Sequence, residues 1–257
     1  MRKRKSIITE RTWYTPTGKY WTHYYDMLQQ PHLLIAGATG SGKSVVINAL
    51  MYTALFSAPV DLPGGKEFIL IDPKRVELSM YRSLPHTLYY ASEPEQFVSA
   101  LQYALQLCDC RYRQMQQAGQ RKYSGSDVYI VIDEFADLMC TNKREIMPLV
   151  QRIAQIGRAA RIHIILATQT PIAKVLPTEI KCNFDARLAL RTRSAQDSRN
   201  IIGMSGCENF PRYGKGYYMT PEGEGRRDIQ MYSDTEIRGR VYWWTQQTGR
   251  TSVRRVM

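Results

Sequence analysis

The chain has 257 residues, 44% hydrophobic and 23% charged, which is the balance of a globular protein with a sizeable core and not of a disordered chain. Its 35 basic against 23 acidic residues leave a net +12, which favours a polyanionic partner, nucleic acid before membrane lipid. No apolar run approaches the roughly 20 residues that span a bilayer, the basic start Met1 to Lys5 lacks the apolar core of a signal peptide, and five cysteines without a Cys-x-x-Cys pair argue against a disulfide framework or zinc site, so the chain reads as cytoplasmic.

Residues 1–28 form a basic, aromatic segment with Trp13, Tyr14, Tyr20, Trp21, Tyr24 and Tyr25 around Thr17-Gly18-Lys19. This suggests a short strand or arm whose rings either pack in a core or stack on bases or an adenine ring. His32 to Ala36 predicts a buried strand and Val45 to Met51 a helix, and between them runs Gly37-Ala38-Thr39-Gly40-Ser41-Gly42-Lys43-Ser44. Strand, glycine-rich loop and helix in that order fit a phosphate-binding loop. The glycines let backbone N–H groups turn toward phosphates, Lys43 would reach the β and γ phosphates of ATP, and the Ser44 hydroxyl would ligate Mg²⁺.

Asp61 to Lys66 reads as a Pro/Gly turn and Glu67 to Ile71 as a buried strand ending at Asp72-Pro73-Lys74. Ser92 to Gln120 carries Phe97, Leu101, Leu105 and Leu107 at helical intervals, with Glu93 and Glu95 near its start and Gly119 near its end. Val128 to Ile132 is another strand, running into Asp133-Glu134; a helix over Arg144 to Ala160 and a strand over Ile162 to Ala167 follow. Asp185 to Arg191 and Gly216 to Tyr218 read as further strands, and the alternation predicts an α/β fold with a mainly parallel central sheet flanked by helices. Acids emerging where a buried strand ends can take different tasks: Asp133 would hold Mg²⁺ through water, and Glu134 would orient or deprotonate the attacking water. Gln169, ending the next strand, is either a sensor of the γ phosphate or a simple strand cap. Arg158 and Arg161, at the close of the preceding helix, either reach a neighbouring subunit's nucleotide as arginine fingers or complement the helix dipole.

These motifs together resemble the motor core of FtsK/SpoIIIE DNA translocases over about residues 29–232. The resemblance is carried by Pro31 to Gly37 entering the phosphate loop, Ile71-Asp72-Pro73-Lys74 with Glu77-Leu78, Leu84-Pro85-His86, Asp133 to Met139, Arg158-Ala159-Ala160, Ile164 to Gln169 and Asp197-Ser198-Arg199. It implies a RecA-like P-loop NTPase, an ATP hydrolase acting as a homo-hexameric ring that pulls double-stranded DNA through its pore. Lys43, Ser44, Asp133 and Glu134 would form the site for ATP and Mg²⁺, with Gln169 the sensor and Arg158 the first choice of finger. Residues 233–257 would add a C-terminal helix and a basic tail. Thr170 stands where the family usually has Arg, and Arg161 where it usually has Gly.

DNA contact is expected from loops leaving the sheet, first Thr170 to Lys181 with Lys174 and Lys181, then Asn209 to Lys215 with Arg212 and Lys215, through phosphates and without sequence specificity. Family members often carry a membrane anchor and further subdomains. With residues 1–28 ahead of it, the motor reads as a stripped version suited to transfer or mobilisation of a plasmid, phage or integrative element alongside a partner protein. Two other readings stand beside this one: a coupling or packaging ATPase that hands DNA to a relaxase, channel or capsid, and a nucleotide-switched DNA-binding adaptor with little turnover.

Overall fold

The computed structural model describes residues 30–55, 65–221, 223–228 and 232–247. The expected N-terminal arm, most of the Asp61 to Lys66 turn and the basic tail lie outside them. The elements run β1 (Leu33–Ala36), α1 (Lys43–Ala54), β2 (Lys66–Ile71), β3 (Thr87–Ala91), α2 (Pro94–Gln117), β4 (Asp127–Ile132), α3 (Phe135–Ala160), β5 (Ile162–Thr168), α4 (Thr178–Lys181), β6 (Ala186–Ala189), α5 (Ala195–Ile202), β7 (Lys215–Thr220), β8 (Gly223–Asp228) and α6 (Asp234–Gln247).

Side chains alternate across a strand, so each apolar run supplies two cores at once. Leu34, Ala36, Ile69, Ile71, Ile130, Ile132, Ile164 and Leu166 face α2 and α3. Leu33, Ile35, Leu70, Val131, Ile165 and Ala167 face the opposite layer, where Val46, Ile47, Leu50 and Met51 of α1 pack. The strands pair in the order β3-β2-β4-β5-β1-β6-β7-β8. All pairs from β3 to β6 are parallel, while β7 and β8 are added antiparallel at one edge. The expected mainly parallel sheet is therefore present, with β1 beside β5 and its carboxyl end near those of β4 and β5, where open α/β sheets bind ligands.

Several expected boundaries move for local reasons. Helix α2 begins at Pro94 because the Gln96 side chain accepts the N–H groups of Ser92 and Glu93. Helix α3 starts directly after Glu134, earlier than expected, and breaks at Asn142, whose backbone leaves the helical region (φ −150°, ψ 70°). The Asn142 carboxamide oxygen accepts the Glu145 N–H at 3.3 Å and caps the second segment, the helix legible from Arg144 onward. β3 and β8 carry no clear apolar period and were not expected. α6 buries Ile237 in the α1 layer and donates the Trp244 indole N–H to the Leu55 carbonyl at 2.7 Å. Among the described residues no helix is long and apolar enough to cross a membrane.

Candidate nucleotide site

The chain turns out of β1 into the phosphate loop under three ties to neighbouring segments. Gly37 N–H reaches the Thr168 carbonyl at 3.3 Å, Ala38 N–H the Arg191 carbonyl at 2.8 Å, and Leu190 N–H the Ala36 carbonyl at 2.8 Å. Gly40 and Gly42 adopt φ 73° and 95°, the left-handed turn that L side chains resist, and so aim the loop over the start of α1. The Ser41 hydroxyl oxygen is buried and without a hydrogen-bond partner, an orphan that a phosphate oxygen within the loop would satisfy.

Lys43 opens α1 and turns under the loop. Its ammonium donates to the Asp133 carbonyl at 2.9 Å and lies 3.4 Å from Asp133 Oδ1 and 4.0 Å from Glu134 Oε2. Asp133 and Glu134 are 1% and 2% exposed, so the strand end delivers two buried acids into the site. Burial pushes the Asp133 carboxyl up; Lys43 pulls it down, and the charges of Glu77 and Asp72 add to the rise. Glu134 is gripped from β5: its Oε1 accepts Thr168 Oγ1 at 2.8 Å and Gln169 N–H at 3.0 Å. The Gln169 carboxamide oxygen in turn accepts the Thr39 hydroxyl at 2.6 Å, joining the phosphate loop to the end of β5.

The structure thus brings Gly37 to Ser44, Asp133, Glu134 and Gln169 into one site, with Ser44 in the first turn of α1. Arg158 lies elsewhere. It is exposed in the last turn of α3, which leads into the amino end of β5, the end of the sheet opposite the phosphate loop. Arg161 is no finger candidate here: it caps α3 at φ 56°, the left-handed conformation natural to Gly, and binds Asp127 through two 2.8 Å hydrogen bonds. Of the expected DNA contacts, Lys174 is exposed beyond β5 and Lys215 is exposed at the start of β7. The Lys181 ammonium is half-buried and donates to the Asn200 carbonyl at 3.3 Å. Arg212 lies against the phosphate loop instead, with its Nη2 3.0 Å from where a Cβ on Gly40 would stand. It lines a cavity of about 370 Å³ with Thr39, Ser41, Arg191, Arg193 and Glu208. Arg191 and Arg193 were not expected at the site, and Arg212 was expected on DNA, because they come from segments after β6 and α5, remote in sequence from any phosphate motif.

A glycine-rich loop over a helix start, a buried lysine and two buried acids can hold a polyphosphate, share a divalent cation and orient water. The FtsK/SpoIIIE family model matches residues 17–130 and 125–173. The DNA translocase FtsK of Caulobacter vibrioides is 35% identical over 255 residues, covering 82% of this chain and 31% of that protein. That of Chlorobaculum tepidum is 40% identical over 205 residues, covering 72% and 25%. The chain therefore spans between a quarter and a third of the length of these relatives. Among solved structures, the pCW3 conjugation coupling protein TcpA bound to ATPγS superposes with a TM-score of 0.77 at 20% identity, over 92% of this chain and 69% of that one. EssC ATPases 2 and 3 from Geobacillus thermodenitrificans give 0.78 at 15% identity, over 98% and 49%. At these identities the likeness speaks to the fold.

Proposed function

Because the chain belongs to the FtsK/SpoIIIE family, we propose that it is the ATP-hydrolysing motor of a double-stranded DNA translocase. The observation that carries this reading is the placement of the Lys43 ammonium within 4.0 Å of both the Asp133 and Glu134 carboxylates beneath the phosphate loop. Gly37 to Ser44 would cradle the phosphates, and Arg212 joins them from the neighbouring wall. Glu134 orients the attacking water and takes its proton; Gln169, bonded to Thr39, senses whether the loop is filled.

Among the described residues no group of three or more His, Cys, Asp or Glu is arranged to hold a metal ion alone. The Ser44 hydroxyl and the Asp133 carboxylate would hold Mg²⁺ together with phosphate oxygens. The fit is supported by the buried Asp133 carboxyl, whose lost solvation a divalent cation replaces. When bound, the ion neutralises charge on the phosphates.

Arg158 fits a role in trans, since it stands at the amino end of β5 and the phosphate loop at the carboxyl end of the neighbouring β1, and this supports a ring in which each subunit completes its neighbour's site. Lys174 and Lys215 are the proposed DNA contacts. We take residues 29–232 as the motor with α6 appended, and the cytoplasm as its location, which suits five free thiols. That TcpA, a conjugation coupling protein, shares the fold keeps transfer of mobile-element DNA as a second reading.

The test is steady-state ATP hydrolysis without DNA, with single-stranded DNA and with long duplex, beside Glu134→Gln. Duplex-stimulated turnover that falls at least about a hundredfold in the variant is expected. Nucleotide-dependent DNA binding with negligible turnover would favour an adaptor instead.

A further inference from the structure

The phosphate loop has a second flank. β1 lies between β5 and β6, and Gln169, the two acids and the Lys43 ammonium all gather on its β5 side, toward β4. On the β6 side, Thr39, Gly40 and Ser41 face the cavity of about 370 Å³, whose wall carries Arg191, Arg193, Glu208 and Arg212. This wall is preformed. Ala38 N–H bonds the Arg191 carbonyl at 2.8 Å, Thr192 N–H the Cys207 carbonyl at 3.3 Å, and the Glu208 carboxylate accepts the Gly206 N–H at 2.8 Å. Both segments of the wall are thereby tied to the loop and to each other. None of the three arginines has an ion-pair partner among the described residues, which suits a ligand that brings negative charge.

With its γ phosphate at Lys43 and Glu134, a nucleotide leaves the loop on the side away from β4, where this cavity opens. The volume suits a nucleoside. Arg212, set against Gly40, stays with the phosphates. The sugar follows the α phosphate and so lies nearest the loop, and Glu208 is the one carboxylate in the lining able to accept its hydroxyls. Arg191 and Arg193 offer planar guanidinium faces on which any base can stack, but arginine has no acceptor with which to read an exocyclic amine. No aromatic or large aliphatic side chain lines the cavity to fit one ring shape.

We infer that this cavity is the nucleoside subsite and that it selects the sugar over the base, Glu208 accepting the ribose hydroxyls while Arg191 and Arg193 stack on whichever base is present. This rests on the reading of Gly37 to Ser44 as the phosphate-binding loop. Calorimetric binding of ATP, 2′-deoxy-ATP, GTP and inorganic tripolyphosphate to the full chain, Glu208→Gln, Arg193→Lys and Lys43→Ala tests it. The unsubstituted chain binds GTP within about threefold of ATP and 2′-deoxy-ATP about tenfold more weakly. Glu208→Gln brings ATP down to the level of 2′-deoxy-ATP, and Arg193→Lys, which keeps the charge and removes the planar face, weakens ATP and GTP alike by about threefold. Both variants bind tripolyphosphate no more weakly than the unsubstituted chain, which also shows that they are folded. Discrimination against GTP that exceeds discrimination against 2′-deoxy-ATP, unchanged ATP affinity in either variant, or a loss that tripolyphosphate shares overturns the inference while leaving the phosphate loop in place. Undiminished ATP and tripolyphosphate binding in Lys43→Ala overturns both.

Discussion

Asp127→Asn removes the charge at the centre of a knot tying together the amino ends of the strands. The Asp127 carboxylate, 2% exposed, accepts Arg161 Nε and Nη2 at 2.8 Å each, pairs with Lys66, and lies 3.2 Å from His163 Nε2. The other ring nitrogen of His163 lies 3.1 Å from the Pro31 carbonyl, which brings the entry to β1 into the same knot. Asn keeps the shape but strands the cations. Removing one partner of a buried ion pair costs about 3–5 kcal/mol. Arg161 and Lys66, 15% and 24% exposed, recover some hydration, which sets the expectation near the lower end, about 3 kcal/mol. For a domain of this size that is a fall of about 6–12 °C in Tm. Burial alone pushes the Asp127 carboxyl up, but hydrogen bonds from His163 and Arg161 and the charge of Lys66 outweigh it and hold it far below the usual carboxylate range. With the folded value depressed, the contribution is fully present above the unfolded value of about 3.9 and is lost as pH falls through the folded one. Urea unfolding of both proteins from pH 7 downward should therefore show a gap that holds to about pH 5 and closes only below about pH 4. A gap under about 1 kcal/mol at pH 7, or one that closes between pH 7 and 5, refutes the reasoning.

A Cβ on Gly157 would stand 2.3 Å from the Ile162 carbonyl oxygen, so Gly157→Ala forces α3 off β5. A net loss of about 2 kcal/mol is expected after the better helix propensity of Ala, and an unchanged denaturation midpoint would reject this. Arg212→Ala separates the two roles available to that residue: weaker binding of a fluorescent ATP analogue without DNA is expected, whereas unchanged nucleotide affinity with a shallower salt dependence of DNA binding would return Arg212 to the DNA-contact set.

The chemistry legible in the sequence is the part written in contiguous residues. The Gly37 to Ser44 loop between an apolar strand and a helix, and Asp133-Glu134 at the end of Val128 to Ile132, are local patterns whose function depends on neighbours in the chain. The buried strands were legible for the same reason, since a strand covered on both faces is an unbroken apolar run. β8, Gly-Glu-Gly-Arg-Arg-Asp, has no such run and exists because β7 offers it an antiparallel partner. The Arg161 position illustrates the boundary between the two kinds of knowledge. An arginine at the close of a helix is visible in the sequence, but its left-handed backbone and the Asp127 carboxylate that holds it are not. The strand order likewise decides which remote residues meet: Thr39 with Gln169 across 130 positions, Lys74 with Glu134 across 60, and Arg212 with Gly40. Sequence by itself determined the reactive groups and the elements that carry them, because those follow from short-range sterics and burial. Only the tertiary structure decided their company, because contacts between distant residues arise when separate strands and loops pack at one end of a common sheet.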